Sequence, residues 1–416
     1  MLTLTPLHKS VQKNPYLWVC FAMIVGVMGT ALASPLYPLY QQAWQLNAGD
    51  ISLLYVVYMA SALCSLLFLG RLSDQQGFVF VLRGGLVVVT IGIVFSAIAW
   101  SYWSFMLSRL LIGLASSMIV TSASIGLNRL NRSSDLQRAA ATTSLLIAFG
   151  FGLGPLLGGL IAQWAAAPLV SSYLPSIVMG VLAIYAMFLL PAAEHKPAAP
   201  SASTVNGDNR PAKPLWRPSI HIPTAAARIP FLLASLSAFT AFSMFSLFAA
   251  LAPSFIHNMV PWHGPAVSGI SISIILFMSS GFQLSARRWP LKFSLMLGLS
   301  AFTLSCALLV ANLQYTSVTL FSAAIITLAF GHGLCLIAGM AIVNRIALPE
   351  HRAATTSSYL IIGYLGAIFP MLTTGFLANQ LGLPTALVIF CLSLGLMCLL
   401  LLISTALKLK PTLITP

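Results

Sequence analysis

Twelve long apolar stretches constrain the fold of this chain more than any other feature of its sequence. An α-helix rises 1.5 Å per residue, so about 20 apolar residues cross the hydrocarbon core of a bilayer. The stretches cover roughly residues 16–40, 51–70, 79–99, 102–126, 139–163, 170–190, 229–257, 264–284, 291–311, 316–344, 353–379 and 384–407. The sequence therefore predicts an all-α membrane protein with twelve transmembrane helices.

Composition excludes most soluble classes of protein. Of the 416 residues, 59% are hydrophobic and only 6% are charged, whereas soluble proteins carry about a quarter charged residues. The six cysteines stand singly within apolar runs and form no CxxC pair, so neither a disulfide framework nor a zinc site is expected. The sequence has no Walker A motif, nucleophile elbow or metal-ligand spacing, so we expect no enzyme, cofactor or metal.

The chain divides into two related halves. A polar segment rich in Pro, Ala and Ser separates a predicted six-helix bundle over residues 1–190 from a second one over 229–416, which makes residues 191–228 a linker. "NRLNRSSDLQRAAATTS" from Asn128 is repeated as "NRIALPEHRAATTSS" from Asn344, 216 residues later. "GGLIAQ" from Gly158 is likewise echoed by "GFLANQ" from Gly375. Parallel repeats of this kind are typical of transporters whose substrate site lies between the halves.

Basic residues predict the orientation in the membrane. Nineteen of the twenty Lys and Arg residues fall in the tails, the linker and the even-numbered connections, all on one side. By the positive-inside rule both termini are cytoplasmic, and we expect a multi-pass protein of the bacterial inner membrane. The net charge of +14 then reflects topology and anionic lipid headgroups, and nucleic-acid binding is not expected.

Four motifs of the first half identify a family resemblance. "GTALASPLYP" contains Gly29, Pro35 and Pro38; "GRLSDQQG" contains Gly70, Asp74 and Gly77; "RLLIG" contains Arg109 and Gly113; "GFGLGPLLGG" contains Gly150, Gly154, Pro155, Gly158 and Gly159. Together they resemble the motifs of the major facilitator superfamily, and most closely those of its twelve-helix drug:proton antiporters. The general fold of that family would cover the whole chain.

The resemblance implies a mechanism. It implies a monomeric secondary transporter that exports small hydrophobic or amphipathic drug-like compounds by alternating access, driven by proton antiport. It also implies that Asp74 bonds a basic partner such as Arg129 and a helix 11 N-terminus, which latches one conformation. Here Gln75 and Phe78 replace the usual basic residues, so a weaker latch is expected. Arg109 would serve proton coupling or substrate handling; the alternative is an arginine that snorkels to the interface.

The acidic residues leave a second function open. None of the six lies inside a predicted span, and Asp50 is interpreted as the N-cap of helix 2. With Arg109 inside and no carboxylate, the transporter could instead carry an anionic metabolite, with or without proton coupling. His332, alone among the histidines, lies well inside a span and could carry a proton, or it could simply hydrogen-bond a neighbouring helix. A non-transporting membrane receptor or assembly factor is a third possibility.

Two further groups of residues complete the predicted site. Tyr37, with Thr30 and Ser34, supplies the polar groups of helix 1, and Tyr58, Tyr359 and Tyr364 are candidates for lining the cavity, with packing as the alternative. Gly150, Gly154 and Gly158 recur every fourth residue and so share one helix face, while Pro155 bends the helix. The whole stretch "GFGLGPLLGG" is interpreted as a packed, kinked seam along helix 5, where the two halves meet.

Overall fold

The computed structural model describes residues 5–70, 72–131, 136–190, 220–256 and 259–409. Within these residues, twelve helices are long and apolar enough to cross a membrane. Their main helices are α1 (Pro15–Ala31), α2 (Ala48–Leu69), α3 (Phe78–Ala97), α4 (Tyr102–Leu130), α5 (Leu136–Trp164), α6 (Leu174–Leu189), α7 (Ala225–Ala250), α8 (Pro265–Ser285), α9 (Leu291–Tyr315), α10 (Val318–Ile346), α11 (Arg352–Leu381) and α12 (Leu383–Lys408). The first span continues beyond α1 to Trp44, and the sixth begins before α6 at Pro168. The predicted all-α fold with twelve spans is confirmed.

Local capping residues set where several helices begin. α4 begins with a capping box in which Ser101 and Ser104 bond each other's backbone N–H groups. α2 begins in the same way, with Asn47 as the N-cap and Asp50 as its partner three residues on. The interpretation of Asp50 as the N-cap is therefore wrong. Its carboxylate accepts the Asn47 N–H at 2.9 Å, which satisfies a donor that would otherwise be left unpaired at the helix start.

Proline interrupts the first span of each half near the same end. After α1 the chain forms a 3₁₀ turn, Ser34–Leu36, and a short helix, Tyr37–Trp44, with Pro35 and Pro38 in their first turns. After α7 it forms the short helix Ala252–Phe255, which contains Pro253. Proline has no N–H to continue a helical ladder, so each span breaks there.

The two halves are the bundles α1–α6 and α7–α12. α7 begins at Ala225, four residues before the predicted boundary, and residues 191–219 of the predicted linker lie outside the described residues. The halves pack against each other mainly through α5 on α8 and α2 on α11.

Basic residues gather at one end of the bundle, which we call the basic end; the opposite end is the far end. Arg83 at the start of α3 donates to the Met187 and Leu190 carbonyls at the end of α6, at 2.9 and 2.7 Å. Lys292 at the start of α9 donates to the Ala406 carbonyl near the end of α12 at 2.7 Å. In each half, a basic residue of the third helix thus satisfies the last carbonyls of the sixth.

Candidate functional site

Arg109 is buried inside the first half. It lies on α4 with 1% of its surface exposed, so the snorkelling alternative is wrong. Its Nη2 donates to the Ser96 hydroxyl at 2.8 Å, and the guanidinium lies 4.9 Å from the Phe105 ring centroid. Its Nε has no hydrogen-bond partner. Arg109 therefore connects α4 to α3 through a hydroxyl group.

Tyrosines surround the Arg109 charge. Tyr37 and Tyr58, both predicted site residues, are near enough to interact electrostatically with the guanidinium, as are Tyr40 and Tyr173. The Tyr40 and Tyr173 hydroxyls are 3.0 Å apart, and the Tyr40 hydroxyl also donates to the Ser96 carbonyl at 3.2 Å. Sequence reasoning missed Tyr40 and Tyr173, because they lie near the ends of their spans and only the fold brings them to Arg109.

His332 occupies a separate polar site in the second half. It lies on α10, is 8% exposed, and its Nδ1 is 2.8 Å from the Ser279 hydroxyl of α8. Gln283 donates to the same hydroxyl at 3.4 Å, and the Phe245 ring of α7 lies 5.8 Å from the imidazole. The structure does not bring His332 and Arg109 together. The contacts of Arg109 are with helices of the first half, and those of His332 are with helices of the second half.

Aromatic and hydroxyl side chains line the seam between the halves. The Tyr55 hydroxyl of α2 is 2.9 Å from the Ser246 hydroxyl of α7. Tyr58 is next to Tyr55, with ring centroids 6.2 Å apart, and Tyr364 of α11 approaches Ser117 of α4. Tyr58 and Tyr364, with Tyr55, lie near the interface between the halves; that Tyr58 and Tyr364 line a substrate cavity stays a prediction.

Tyr359 lies elsewhere. It is 1% exposed and packs between α10 and α7, where Gly339 leaves room for its hydroxyl. It belongs to the core of the second half, so the packing alternative is the correct one for this residue.

The glycines of α5 serve two different interfaces. A Cβ at Gly150 would lie 3.0 Å from the Ile24 carbonyl, one at Gly158 2.6 Å from the Leu32 carbonyl, and one at Gly154 would meet the Met28 carbonyl. The Gly150–Gly154–Gly158 face thus packs on α1 and its extension within the first half. The predicted seam along this stretch of helix 5 is therefore not formed by this face.

A neighbouring face of α5 meets the second half. A Cβ at Gly159 would lie 2.5 Å from the Pro265 carbonyl and 3.1 Å from Gly269 of α8, and the Pro155 carbonyl also lies against Gly269. The Ser273 hydroxyl donates to the Gly152 carbonyl at 2.6 Å. Residues 152, 155 and 159 therefore form the seam, and only tertiary packing distinguishes this face from its neighbour.

The other motif glycines mark close approaches or turns. Gly113 of α4 packs on Tyr58 and Ser61 of α2, and Gly29 of α1 packs on Ile93 of α3. Gly70 ends α2 against the Leu66 carbonyl. Gly77 has φ +84°, a conformation that glycine adopts without strain, and begins α3.

The predicted latch is only partly visible. Asp74 lies in the short helix Leu72–Gln76, but its side chain and contacts fall outside the described residues. Arg129 is exposed in the last turn of α4. The pairing of Asp74 with Arg129 therefore stays a prediction.

Within the described residues, several hydrogen bonds join the two halves in the part of the bundle nearer the far end. They include Gly49 N to Asn379 Oδ1 (3.0 Å), Ser254 Oγ to Gln41 Oε1 (2.6 Å), Ala266 N to Gln163 Oε1 (3.4 Å), Ser273 Oγ to the Gly152 carbonyl, and Tyr55 to Ser246. A surface depression of about 440 Å³ lies at the Ser254–Gln41 bond, lined by Pro38, Gln41, Pro253 and Ser254.

Contact between the halves loosens toward the basic end. Residues 150, 152, 154, 155, 158 and 159 of α5 are buried, whereas Ser144 and Leu145, nearer the basic end, are exposed. Between them the Phe149 ring still contacts Phe277 of α8, with ring centroids 5.7 Å apart. Opposite them on α8, a Cβ at Gly281 would meet nothing within 4 Å. The described arrangement is closed at the far end and more open at the basic end.

Comparisons with known proteins agree with this architecture. The family model described as Major Facilitator Superfamily matches residues 19–310. The chain is 25% identical over 183 residues to quinolone resistance protein NorA of Staphylococcus aureus, and 24% identical over 186 residues to multidrug resistance protein 2 of Bacillus subtilis. Each match covers 44% of this chain and 46% of the relative, so the chain spans about half the length of the curated relatives it matches.

Solved structures of similar fold cover almost the whole chain. A bacterial homolog of the human lysosomal transporter Spinster has a TM-score of 0.67 at 16% identity, covering 98% of both chains. The nucleoside transporter NupG has a TM-score of 0.73 at 13% identity, covering 94% of this chain and 99% of its own. At these identities the likeness concerns the fold alone.

Proposed function

Because the chain belongs to the Major Facilitator Superfamily, we propose that it exports small hydrophobic or amphipathic compounds by alternating access, with proton antiport as its energy source. The observation that carries the proposal is the chemistry of the seam between the halves. Tyr55, Tyr58, Tyr364 and Ser246 offer aromatic faces and hydroxyl groups there. Such a surface binds apolar rings and neutral polar groups and provides no carboxylate to select a cation.

The basic end faces the cytoplasm in this proposal, as the positive-inside rule indicates for a protein of the bacterial inner membrane. The hydrogen bonds at the far end then close the site to the outside, and the looser basic end admits substrate from the cytoplasm. The start of α1 and the end of α12 both lie at the basic end, so in this proposal both termini are cytoplasmic. The names of the resistance proteins it resembles support the direction of export.

His332 is the proposed proton carrier. Its imidazole, on α10, is hydrogen-bonded to Ser279 of α8. A change in the charge of His332 would therefore act directly on the packing of these two helices. Arg109, which the family resemblance assigns to proton coupling, holds α4, α3 and the broken end of α1 together. Neither residue needs a carboxylate partner for this role.

Flux measurements in proteoliposomes test the proposal. We expect an imposed pH gradient to drive transport of a hydrophobic or amphipathic fluoroquinolone, with countermovement of protons. His332→Gln keeps a hydrogen bond to Ser279 but cannot titrate, so it should keep exchange of substrate and lose the response to the gradient. Cys64→Ser, a change at an exposed surface position, is the control and should behave as the parent chain. Flux that ignores the gradient in the parent chain would contradict proton antiport.

A second function, transport of an anionic metabolite, is favoured by the unneutralised charge of Arg109. The Nε group of this buried cation has no hydrogen-bond partner, and tyrosines rather than carboxylates lie beside it. An anion would compensate this charge. In the same proteoliposomes, Arg109→Ala should then abolish flux of an anionic substrate; anion flux that survives the substitution would eliminate this second function.

A further inference from the structure

We propose that Asn379 and Gln163 are positioning residues that hold the far end closed. Each of them caps the start of a helix that belongs to the other half. This inference rests on the proposed alternating-access mechanism and deepens it. The two contacts are the Gly49 N–H to Asn379 Oδ1 bond and the Ala266 N–H to Gln163 Oε1 bond. Both donors are the second residue of a spanning helix, α2 and α8 respectively.

Each helix start presents a backbone donor that its own half does not satisfy. The first four N–H groups of an α-helix have no partner within the helix. In α2 the local cap, Asn47, accepts the N–H of Asp50, which leaves the N–H of Gly49 for the other half. In α8 the N-cap is Gly264, which has no side chain, and Pro265 has no N–H, so the N–H of Ala266 is the first available donor.

A glycine at each contact makes room for the incoming amide. A Cβ at Gly49 would collide with the Asn379 amide, and one at Gly264 would collide with the Gln163 amide. Gly264 also has φ +106°, which an L-side chain rarely adopts. Both helix starts are therefore shaped to receive an amide side chain.

The two contacts occupy corresponding places in the two halves. Asn379 lies 216 residues after Gln163 (379 − 163), the offset that separates the repeated segments at Asn128 and Asn344, whereas the repeat of "GGLIAQ" as "GFLANQ" has an offset of 217 residues and aligns Gln163 with Gln380. Gln163 is near the end of the fifth helix of the first half, and Asn379 is near the end of the fifth helix of the second. The second helix of each half receives the cap. Each half thus gives one cap and receives one, and this reciprocity is not expected from chance packing.

The capping bonds exist only while the far end is closed, because their donors and acceptors belong to different halves. When the halves rock apart at the far end, both N–H groups are released to water, which replaces the lost bonds. A neutral hydrogen bond of this kind shifts an equilibrium by about 2- to 10-fold. Two such bonds give a latch that holds the far end closed without preventing its opening.

Distances between spin labels test the latch without any substrate. Labels are placed at Ala43→Cys in the first half and Tyr315→Cys in the second, both exposed near the far end, in a chain carrying Cys64→Ser. We expect Asn379→Leu and Gln163→Met, which keep side-chain size but lose the acceptor, each to raise the long-distance, far-end-open population about 2- to 10-fold. The double variant should raise it by about the product of the two.

Acceptor-preserving and neighbouring variants separate a lost bond from disturbed packing. Asn379→Asp and Gln163→Glu keep an acceptor at a helix N-terminus, where negative charge is favourable, so the closed population should be retained or increased. Gln380→Met changes an exposed amide next to Asn379 and should leave the distances as in the parent chain.

Two results would overturn the latch: unchanged distances in Asn379→Leu and Gln163→Met, or an equal shift in the acceptor-preserving variants. Failure of the proposed function is distinguishable, because it would appear as absent efflux while the label distances still respond to loss of the caps.

Discussion

At the scale of single residues, Arg109 shows how a membrane protein accommodates a buried positive charge without an acidic partner. Its Nη2 is paired with Ser96, its plane lies near the Phe105 ring, and four tyrosines surround it. Hydroxyl oxygens and aromatic faces both stabilise a guanidinium, although each does so less than a carboxylate. The fold collects these groups from α2, α3, α4, the short helix Tyr37–Trp44 that follows α1, and the N-cap of α6.

Among the groups around Arg109, we expect loss of the Ser96 hydroxyl to destabilise the folded protein most clearly. Ser96→Ala removes the acceptor for Arg109 and leaves a buried charge short of a partner, so the free energy of unfolding should fall by about 1.5–3 kcal/mol. The measurement is reversible unfolding in detergent or bicelles.

Ser300→Ala provides the matched control, because Ser300 is exposed and bonds only the Met296 carbonyl of its own helix. Its effect should stay within about 0.5 kcal/mol. An equal decrease in the free energy of unfolding in the two variants would show that the Ser96–Arg109 bond does not stabilise the folded protein.

At the scale of elements, α5 carries two adjacent glycines that face different partners. Gly158 packs on the Leu32 backbone of its own half, whereas Gly159 packs on Pro265 and Gly269 of the other half. Small residues allow this close approach of backbones on both faces. Folding of the first half therefore depends on one face, and closure between the halves depends on the other.

Substituting each glycine by valine should separate these two roles. Gly158→Val forces α5 away from the end of α1, so we expect a large loss of thermal stability and of folded yield. Gly159→Val leaves the first half intact and obstructs the approach of α8, so we expect a folded protein whose far end stays open.

Thermal unfolding reports the first effect, and the distance between spin labels at Ala43→Cys and Tyr315→Cys reports the second. Gly281→Ala is the control, since a Cβ at that position meets nothing within 4 Å and should change neither readout. Equal loss of folded yield in both valine variants would contradict the assignment of the two faces.

At the scale of the whole molecule, the arrangement of charge relative to the membrane governs orientation. The described basic residues at the ends of α3, α4, α9, α10 and α12 share one end of the bundle, and Arg109 is an exception buried within it. Moving this basic end across the membrane would carry many charges through hydrocarbon, which is unfavourable.

A labelling experiment in intact cells checks the orientation. With Cys64→Ser as the background, a membrane-impermeant maleimide should modify Gln42→Cys at the far end without permeabilisation. Lys408→Cys, exposed at the end of α12, should react only after the membrane is opened. The reverse pattern would show that the basic end faces outward.

Much of this architecture follows from the sequence alone. Length and hydropathy determine twelve spans, since an apolar run of about 20 residues has no stable alternative to a helix across the bilayer. The repeat at Asn128 and Asn344 determines two related halves, and the position of Lys and Arg predicts their orientation. These features are local or additive along the chain, so they can be read without knowing which helices touch.

Which face of a helix meets which neighbour was decided only by the tertiary structure. In an almost wholly apolar helix no contrast between polar and apolar residues marks an inner face, so the Gly150–Gly154–Gly158 face and the Gly152–Pro155–Gly159 face of α5 look equally suited to the seam. For the same reason, the sequence did not predict which tyrosines lie around Arg109 or that Gln163 and Asn379 cap helices of the opposite half. Each of these depends on contacts between residues far apart in sequence, which only packing brings together.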